Sequence, residues 1–282
     1  MDDLHIPHRR LAESVRHLIL REMDDMCYPP RPDQAVHDLR VSGKRIRAWL
    51  KILRDAVGED VYAFENKTIR DLGRLLSGRR DAHVLIETFD ALAKAGSAAF
   101  TSESAADLRR RLEAEAASAE RATPWPEALS QVRDVLFPAR RRLEVLELRD
   151  ARPKTVFRRI WKTARKAYAL ALKTRDTEAL HEWRKAAKSL RYQLDALHDI
   201  WPRRIERLRR TLKAQGDLLG QDHDLAVLLD KLEDDARRHA VTEKRAALQA
   251  EVLETSRRFY RPKPKKLAGA LDRRWKKWRE AR

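Results

Sequence analysis

Val36-His-Asp-Leu-Arg-Val-Ser-Gly-Lys-Arg-Ile-Arg47 is echoed 144 residues later by Leu180-His-Glu-Trp-Arg-Lys-Ala-Ala-Lys-Ser-Leu-Arg191. His37, Arg40, Lys44, Arg47, Leu50 and Leu53 fall in order on His181, Arg184, Lys188, Arg191, Leu194 and Leu197. A second block matches at a shift of 143: Arg70, Gly73, Leu75, Leu76, Asp81, Val84 and Leu85 meet Lys213, Gly216, Leu218, Leu219, Asp224, Val227 and Leu228. Apolar matches alone carry little, because any two amphipathic helices slide into agreement. A histidine, three cations and an aspartate in one order carry much more. The pattern predicts an internal duplication, with repeats over residues 1–152 and 153–282 of one domain and a seam at Arg152-Pro153.

On a helical wheel of roughly 100° per residue, His37, Arg40, Lys44 and Arg47 fall within a stripe about 80° wide. Leu39, Ile46, Leu50, Leu53 and Val57 gather on the far side, as do Trp183, Leu190, Leu194, Leu197 and Trp201 in the second copy. Each helix therefore buries one face and carries a basic stripe on another. Solvated faces normally mix signs, with Glu a turn before Lys; these stripes set cations at the three- and four-residue spacings where like charges repel. The stripe is kept in both copies while flanking positions, read as exposed, have changed (Arg45 to Ser189, Lys51 to Asp195). Such a row calls for a ligand of regularly spaced negative charge.

Helical periodicity runs through nearly the whole chain. Breaks are expected at Cys27–Pro32, Gly58, Ser77-Gly78, Gly96-Ser97, Thr123–Pro126, Arg152-Pro153, Trp201-Pro202, Gly220 and Pro262–Pro264. The expected fold is all-α. With only 8 Gly and 11 Pro in 282 residues, a fold rich in tight turns is excluded. The single cysteine, Cys27, excludes an internal disulfide framework and a multi-thiolate metal site. The start Met-Asp-Asp-Leu-His does not read as a signal peptide, and no apolar run approaches a membrane span, so the chain reads as soluble and cytoplasmic. Its 62 Lys and Arg against 44 Asp and Glu leave a net charge of +18, which favours a polyanionic partner.

Further cations extend the pattern. Arg70 and Lys213 hold matching places, and Arg158, Lys162 and Arg165 share one side of a helix just before the second stripe; Arg16 is the analogous residue in the first half. Asp81 and Asp224 read as helix N-caps or, alternatively, as carboxylates orienting a stripe cation. His37 and His181 begin the stripes as donors to an anion, kept neutral without ligand by the cations a turn away. From Arg257 onward twelve Lys and Arg face two acids, while Leu267, Leu271, Trp275 and Trp278 recur at helical spacing, so a docked helix with a basic outer face is expected. Metal-dependent hydrolysis is a poor fit to His37-Asp38, since the residues that follow are Arg40, Lys44 and Arg45, which repel a cation. The chain carries no P-loop, dinucleotide fingerprint or Gly-x-Ser-x-Gly motif, and no cofactor, metal site or catalytic residue is expected.

The two quoted stretches, with Arg80-Asp81 and Leu219-Gly220…Asp224, resemble the CHAD family, the conserved histidine α-helical domain, over almost the whole chain. The resemblance implies two related helical bundles around a basic central pore that binds inorganic polyphosphate without catalysis, and in some members a place in polyphosphate granules. It assigns the pore lining to His37, Arg40, Lys44, Arg47, His181, Arg184, Lys188 and Arg191, with Arg70, Lys213, Lys162, Arg165 and Arg80 as further cations. His223, standing where the first copy has Arg80, departs from the repeat. Members are often fused to a triphosphate-tunnel domain, for which the helical repeats leave no room here. The alternative partner is nucleic acid, bound through its backbone by the same electrostatics. Aromatic platforms for bases are scarce, at 6% of residues, and Trp183 and Trp201 lie opposite the stripe. Docking on acidic proteins or anionic membranes is a third reading, which only the C-terminal segment approaches.

Overall fold

The computed structural model describes residues 10–29, 35–75, 77–122 and 125–281, apart from the side chains of residues 35, 77–82, 119–122 and 125–126. The helices are α1 (Leu11–Cys27), α2 (Ala35–Val57), α3 (Glu59–Leu75), α4 (Ser77–Lys94), α5 (Glu103–Ala122) and α6 (Trp125–Val145), followed by α7 (Pro153–Thr174), α8 (Thr177–Asp195), α9 (Pro202–Leu229), α10 (Asp235–Tyr260) and α11 (Pro264–Glu280). Short 3-10 turns stand at Ala98–Phe100 and His198–Ile200, and the described residues include no strand. The chain is all-α, as its periodicity predicts.

Local chemistry explains most of the boundaries. Gly58, at φ +87°, takes the left-handed conformation that ends α2 and redirects the chain into α3. Pro153, Pro202 and Pro264 open α7, α9 and α11, where a missing N–H costs nothing. Asp176 caps α8 by accepting from the Ala179 N–H at 2.7 Å, and Asp234 caps α10 through Arg237 N–H at 2.9 Å. One expected break is absent: α9 runs unbroken through Gly216 and Gly220. Glycine disfavours a helix by only about 1 kcal/mol, and burial of Leu212, Leu219, Leu225 and Leu228 along α9 outweighs it. The break instead falls after Leu229, before the Asp234 cap.

Packing follows the same order in both halves: α1 on α2, α2 on α3 and α6 on α1, then α7 on α8, α8 on α9 and α11 on α7. The cores, however, do not divide at Arg152-Pro153. The larger gathers Leu39, Ile46, Trp49 and Leu53 of α2 with Trp183, Leu190 and Leu194 of α8, and extends to α1, α6, α7 and α11. The smaller joins Leu85, Phe89 and Leu92 of α4 and Leu108 and Leu112 of α5 to Leu225 and Leu228 of α9 and Val241 of α10. Where α2 meets α8, Trp49 Nε1 donates to the Tyr192 carbonyl at 2.8 Å and Gln193 Nε2 to the Ala48 carbonyl at 3.2 Å. These bonds satisfy polar groups that the contact removes from water. The C-terminal segment is the docked helix expected of it: Ala268, Leu271 and Trp275 of α11 are buried, with Trp278 packed against the same core.

Many cations serve this packing rather than any ligand. Arg142 grips the buried Glu65 with two bonds of 2.7 and 3.1 Å. Arg16, expected beside the first stripe, instead donates to the Glu144 and Leu146 carbonyls at the end of α6. The flanking positions are interface and not open surface: Asp195 is buried and paired with Arg209, Arg45 reaches Glu22 at 3.0 Å, and Lys51 donates to Ser189 Oγ at 3.3 Å. Their changes between the halves are therefore exchanges within a contact.

Candidate functional site

Helix α8 presents His181, Arg184, Lys188 and Arg191, all half-buried, along the side it turns to α9 and α2. On α2, Arg40 and Arg47 are half-buried, and His37 and Lys44 are exposed. The two stripes join because α2 and α8 pack together. Burial, then Arg184, Lys44 and Arg191, draws the Lys188 ammonium down from 10.5 to about 8, while Asp224 pulls the other way. Burial also lowers Arg184, again against the Asp224 carboxylate, and Arg184 Nε is buried with no acceptor among the described residues. The Arg191 guanidinium lies 4.9 Å over the Tyr192 ring, which holds it in place.

The row continues on α2. Arg47 is depressed by burial and then by Arg70, and its Nε donates to Asn66 Oδ1 at 3.1 Å. Lys51, which was not among the expected site residues, is depressed by burial and then by Arg47. The structure thus brings together Arg184, Lys188, Arg191 and Lys44, and beside them Arg47, Lys51 and Arg70, the last also bound to Asp71 at 3.1 Å. It leaves others apart. Lys213 is exposed and bound to Asp217 at 2.8 Å. Lys162 is exposed and Arg165 half-buried on α7, and neither is among the charges acting on Lys188 or Arg47. Arg80 falls within α4, but its side chain and that of Asp81 lie outside the described residues.

Asp224 is no N-cap. It lies well inside α9, where its charge acts on Arg184 and Lys188, so the orienting role is the one the structure supports. The same helix sets Gly216 and Gly220 against the stripe. A Cβ on Gly216 would stand 3.7 Å from Lys188 Cγ and Cε, and one on Gly220 would stand 3.9 Å from Arg184 Nε. The two bare positions, one turn apart, form the floor on which the cationic side chains lie.

His181 Nδ1 stands 3.1 Å from His223 Nδ1, so one ring donates and the other accepts. Both values are lowered by burial first, His181 further by Lys185 and Arg184, and His223 to about 4 by Arg184 and His181. Two imidazolium rings would face each other N–H to N–H, so the pair resists full protonation. The unfolded chain binds this proton near 6.5, so it holds more protons than the fold between pH 6.5 and about 4. The stability that neutral His223 provides is complete above that window and is lost as pH falls through it. His223→Gln keeps a neutral polar group, so its urea midpoint drops less than wild type between about pH 7 and about pH 4.5. Equal drops would exclude the pair as a source of acid sensitivity.

Other features do not compete with this row. Surface hollows of about 530 and 710 Å³ are lined by Arg203, Arg207 and Arg210 and by Arg257, Arg258 and Arg261. Both are open and include a carboxylate, Glu206 or Glu254, and neither contains a stripe residue. The described residues hold no cluster of three His, Cys, Asp or Glu suited to a metal, and no helix among them is long and apolar enough to cross a membrane.

An all-helical chain whose two central helices share one row of cations is the class that this fold and site define. The CHAD domain profile matches residues 9–233, and the chain belongs to that family. Helices α10 and α11 lie beyond the matched segment, yet they pack on α9 and α7. Among solved structures the chain is similar to PptA from Streptomyces chartreusis, at 15% identity and a TM-score of 0.61, over 93% of this chain and 99% of that one. It is also similar to the CHAD domain from the plant Ricinus communis, at 20% identity and a TM-score of 0.46, over 93% and 89% of the two chains. No curated protein matches the chain.

Proposed function

We propose that this protein binds inorganic polyphosphate along the cationic row shared by α2 and α8, lining a pore between the two halves, and does not catalyse its turnover. The observation that carries the reading is Lys188, half-buried among Arg184, Lys44 and Arg191 with Asp224 as the opposing charge. A fold gains nothing from such crowding by itself; a polyanion laid along it converts repulsion into charge-assisted hydrogen bonds. Polyphosphate suits the row because it is flexible, carries about one charge per internal phosphate and has no bases to be read. Arg184, half-buried and with no Nε acceptor among the described residues, supplies a planar guanidinium for phosphate oxygens. Cellular placement then follows the polymer, at polyphosphate granules.

Titration at one ionic strength with long-chain polyphosphate, orthophosphate and duplex DNA tests this. Polyphosphate is expected to bind at least about a hundredfold more tightly than orthophosphate, because one chain engages several cations at once. Duplex DNA at matched charge is expected to bind weakly, being too wide to lie between packed helices. DNA binding equal to that of polyphosphate would make the site an open basic surface and nucleic-acid backbone the better ligand.

A further inference from the structure

We propose that Lys188 is a carbon dioxide-reactive lysine, whose amine forms a carbamate among Arg184, Arg191 and Lys44 when no polyanion occupies the row. The carbamate stands on the half-buried place of Lys188 among cations; its displacement by polymer rests on the polyphosphate reading. The side chain lies across Gly216, its Cγ and Cε each 3.7 Å from the place of the missing Cβ, and is half-buried against α9. Among the described residues no carboxylate comes within ion-pair distance of it. Lys185, a turn earlier on α8, offers the contrast: it is exposed, and its Nζ lies 2.5 Å from Glu182.

The chemistry balances without a further reactant. The neutral amine's lone pair attacks the carbon of CO2, a C–N bond forms, and one C–O π pair moves onto oxygen. The nitrogen then gives its proton to water. A position that held a cation now holds an anion, and three neighbouring cations that opposed the first favour the second, with Asp224 acting the other way. The supply of nucleophile is ample. With the ammonium drawn to about 8, about a quarter of the amine is neutral near pH 7.5, against about one part in a thousand for an ordinary lysine.

The test uses the full chain equilibrated with 13C-bicarbonate near pH 7.5 (a value close to the amine's own), with and without long-chain polyphosphate. Carbamates are trapped by a trialkyloxonium reagent and located by peptide mass spectrometry. Label at Lys188 is expected to exceed that at Lys185 by about tenfold or more and to fall when polyphosphate is added. In the intact protein, the carbamate resonance seen by 13C NMR is expected to vanish in Lys188→Arg, which keeps the charge and removes the amine. Label at Lys188 no greater than at Lys185 overturns the carbamate. Label at Lys188 that polyphosphate leaves in place upholds the carbamate and overturns the placement of the polymer on this row.

Discussion

Long-chain polyphosphate at a hundredfold excess over its Kd is expected to raise the melting temperature of this protein by about 5–10 °C, whereas orthophosphate at equal phosphate concentration is expected to shift it little. The size follows from linkage. A ligand that binds only the folded state stabilises it by RT ln(1 + [L]/Kd), about 2.7 kcal/mol at that excess, and for a chain of this length each kcal/mol moves the midpoint by a few degrees. The free fold carries its own penalty, for Arg184, Lys188 and Arg191 hold like charge half-buried on α8, with Lys44 of α2 adding to it. A connected polyanion relieves the whole row, and a single phosphate relieves one or two of its members. The experiment is a set of melting curves at one ionic strength. A shift from orthophosphate equal to that from the polymer would show that the row does not bind a chain.

The second large effect has opposite signs in two measurements. Lys188→Glu and Arg184→Glu are each expected to weaken polyphosphate binding by about a hundredfold or more, since each removes a charge-assisted bond of about 1.5–3 kcal/mol and adds a repulsion. Lys188→Glu is also expected to raise the urea midpoint of the free protein, because the new carboxylate faces Arg184, Lys44 and Arg191. A variant that is steadier when empty and weaker in binding cannot be explained by damaged folding. Lys276→Glu serves as the control. Lys276 is exposed, 3.8 Å from Asp272 on α11, and salt screens such charges, so a change of only a few-fold is expected there. Equal losses at Lys276 and Lys188 would mean that binding is diffuse surface attraction.

How far this site was legible in the sequence differs from residue to residue. The four-residue rhythm of Lys44 and Arg40, repeated by Lys188 and Arg184, was plain, because helical periodicity is a property of near neighbours. The use of Gly216 and Gly220 was not. In the sequence a glycine signals a break, and only the approach of α8 shows that Lys188 and Arg184 lie against these two positions. Lys213 matched Arg70 in the repeat, and each pairs with a carboxylate of its own helix, Asp217 and Asp71, but only Arg70 also acts on a stripe cation, Arg47. Arg16 and Arg45 looked like site or surface cations and are held by α6 carbonyls and by Glu22.

The sequence by itself determined the helices, the apolar face of each and the cationic stripe on α2 and α8, because spacing along one helix decides which side chains share a face. Tertiary structure alone decided that Lys44 acts on Lys188, that His181 meets His223, that Asp224 sits within a helix and acts on Arg184 and Lys188, and that α9 crosses its glycines unbroken. These depend on contacts between helices far apart in the chain and on how deeply each charge is taken from water. A charge's burial and its distant neighbours set its protonation, and neither is encoded in the residues beside it.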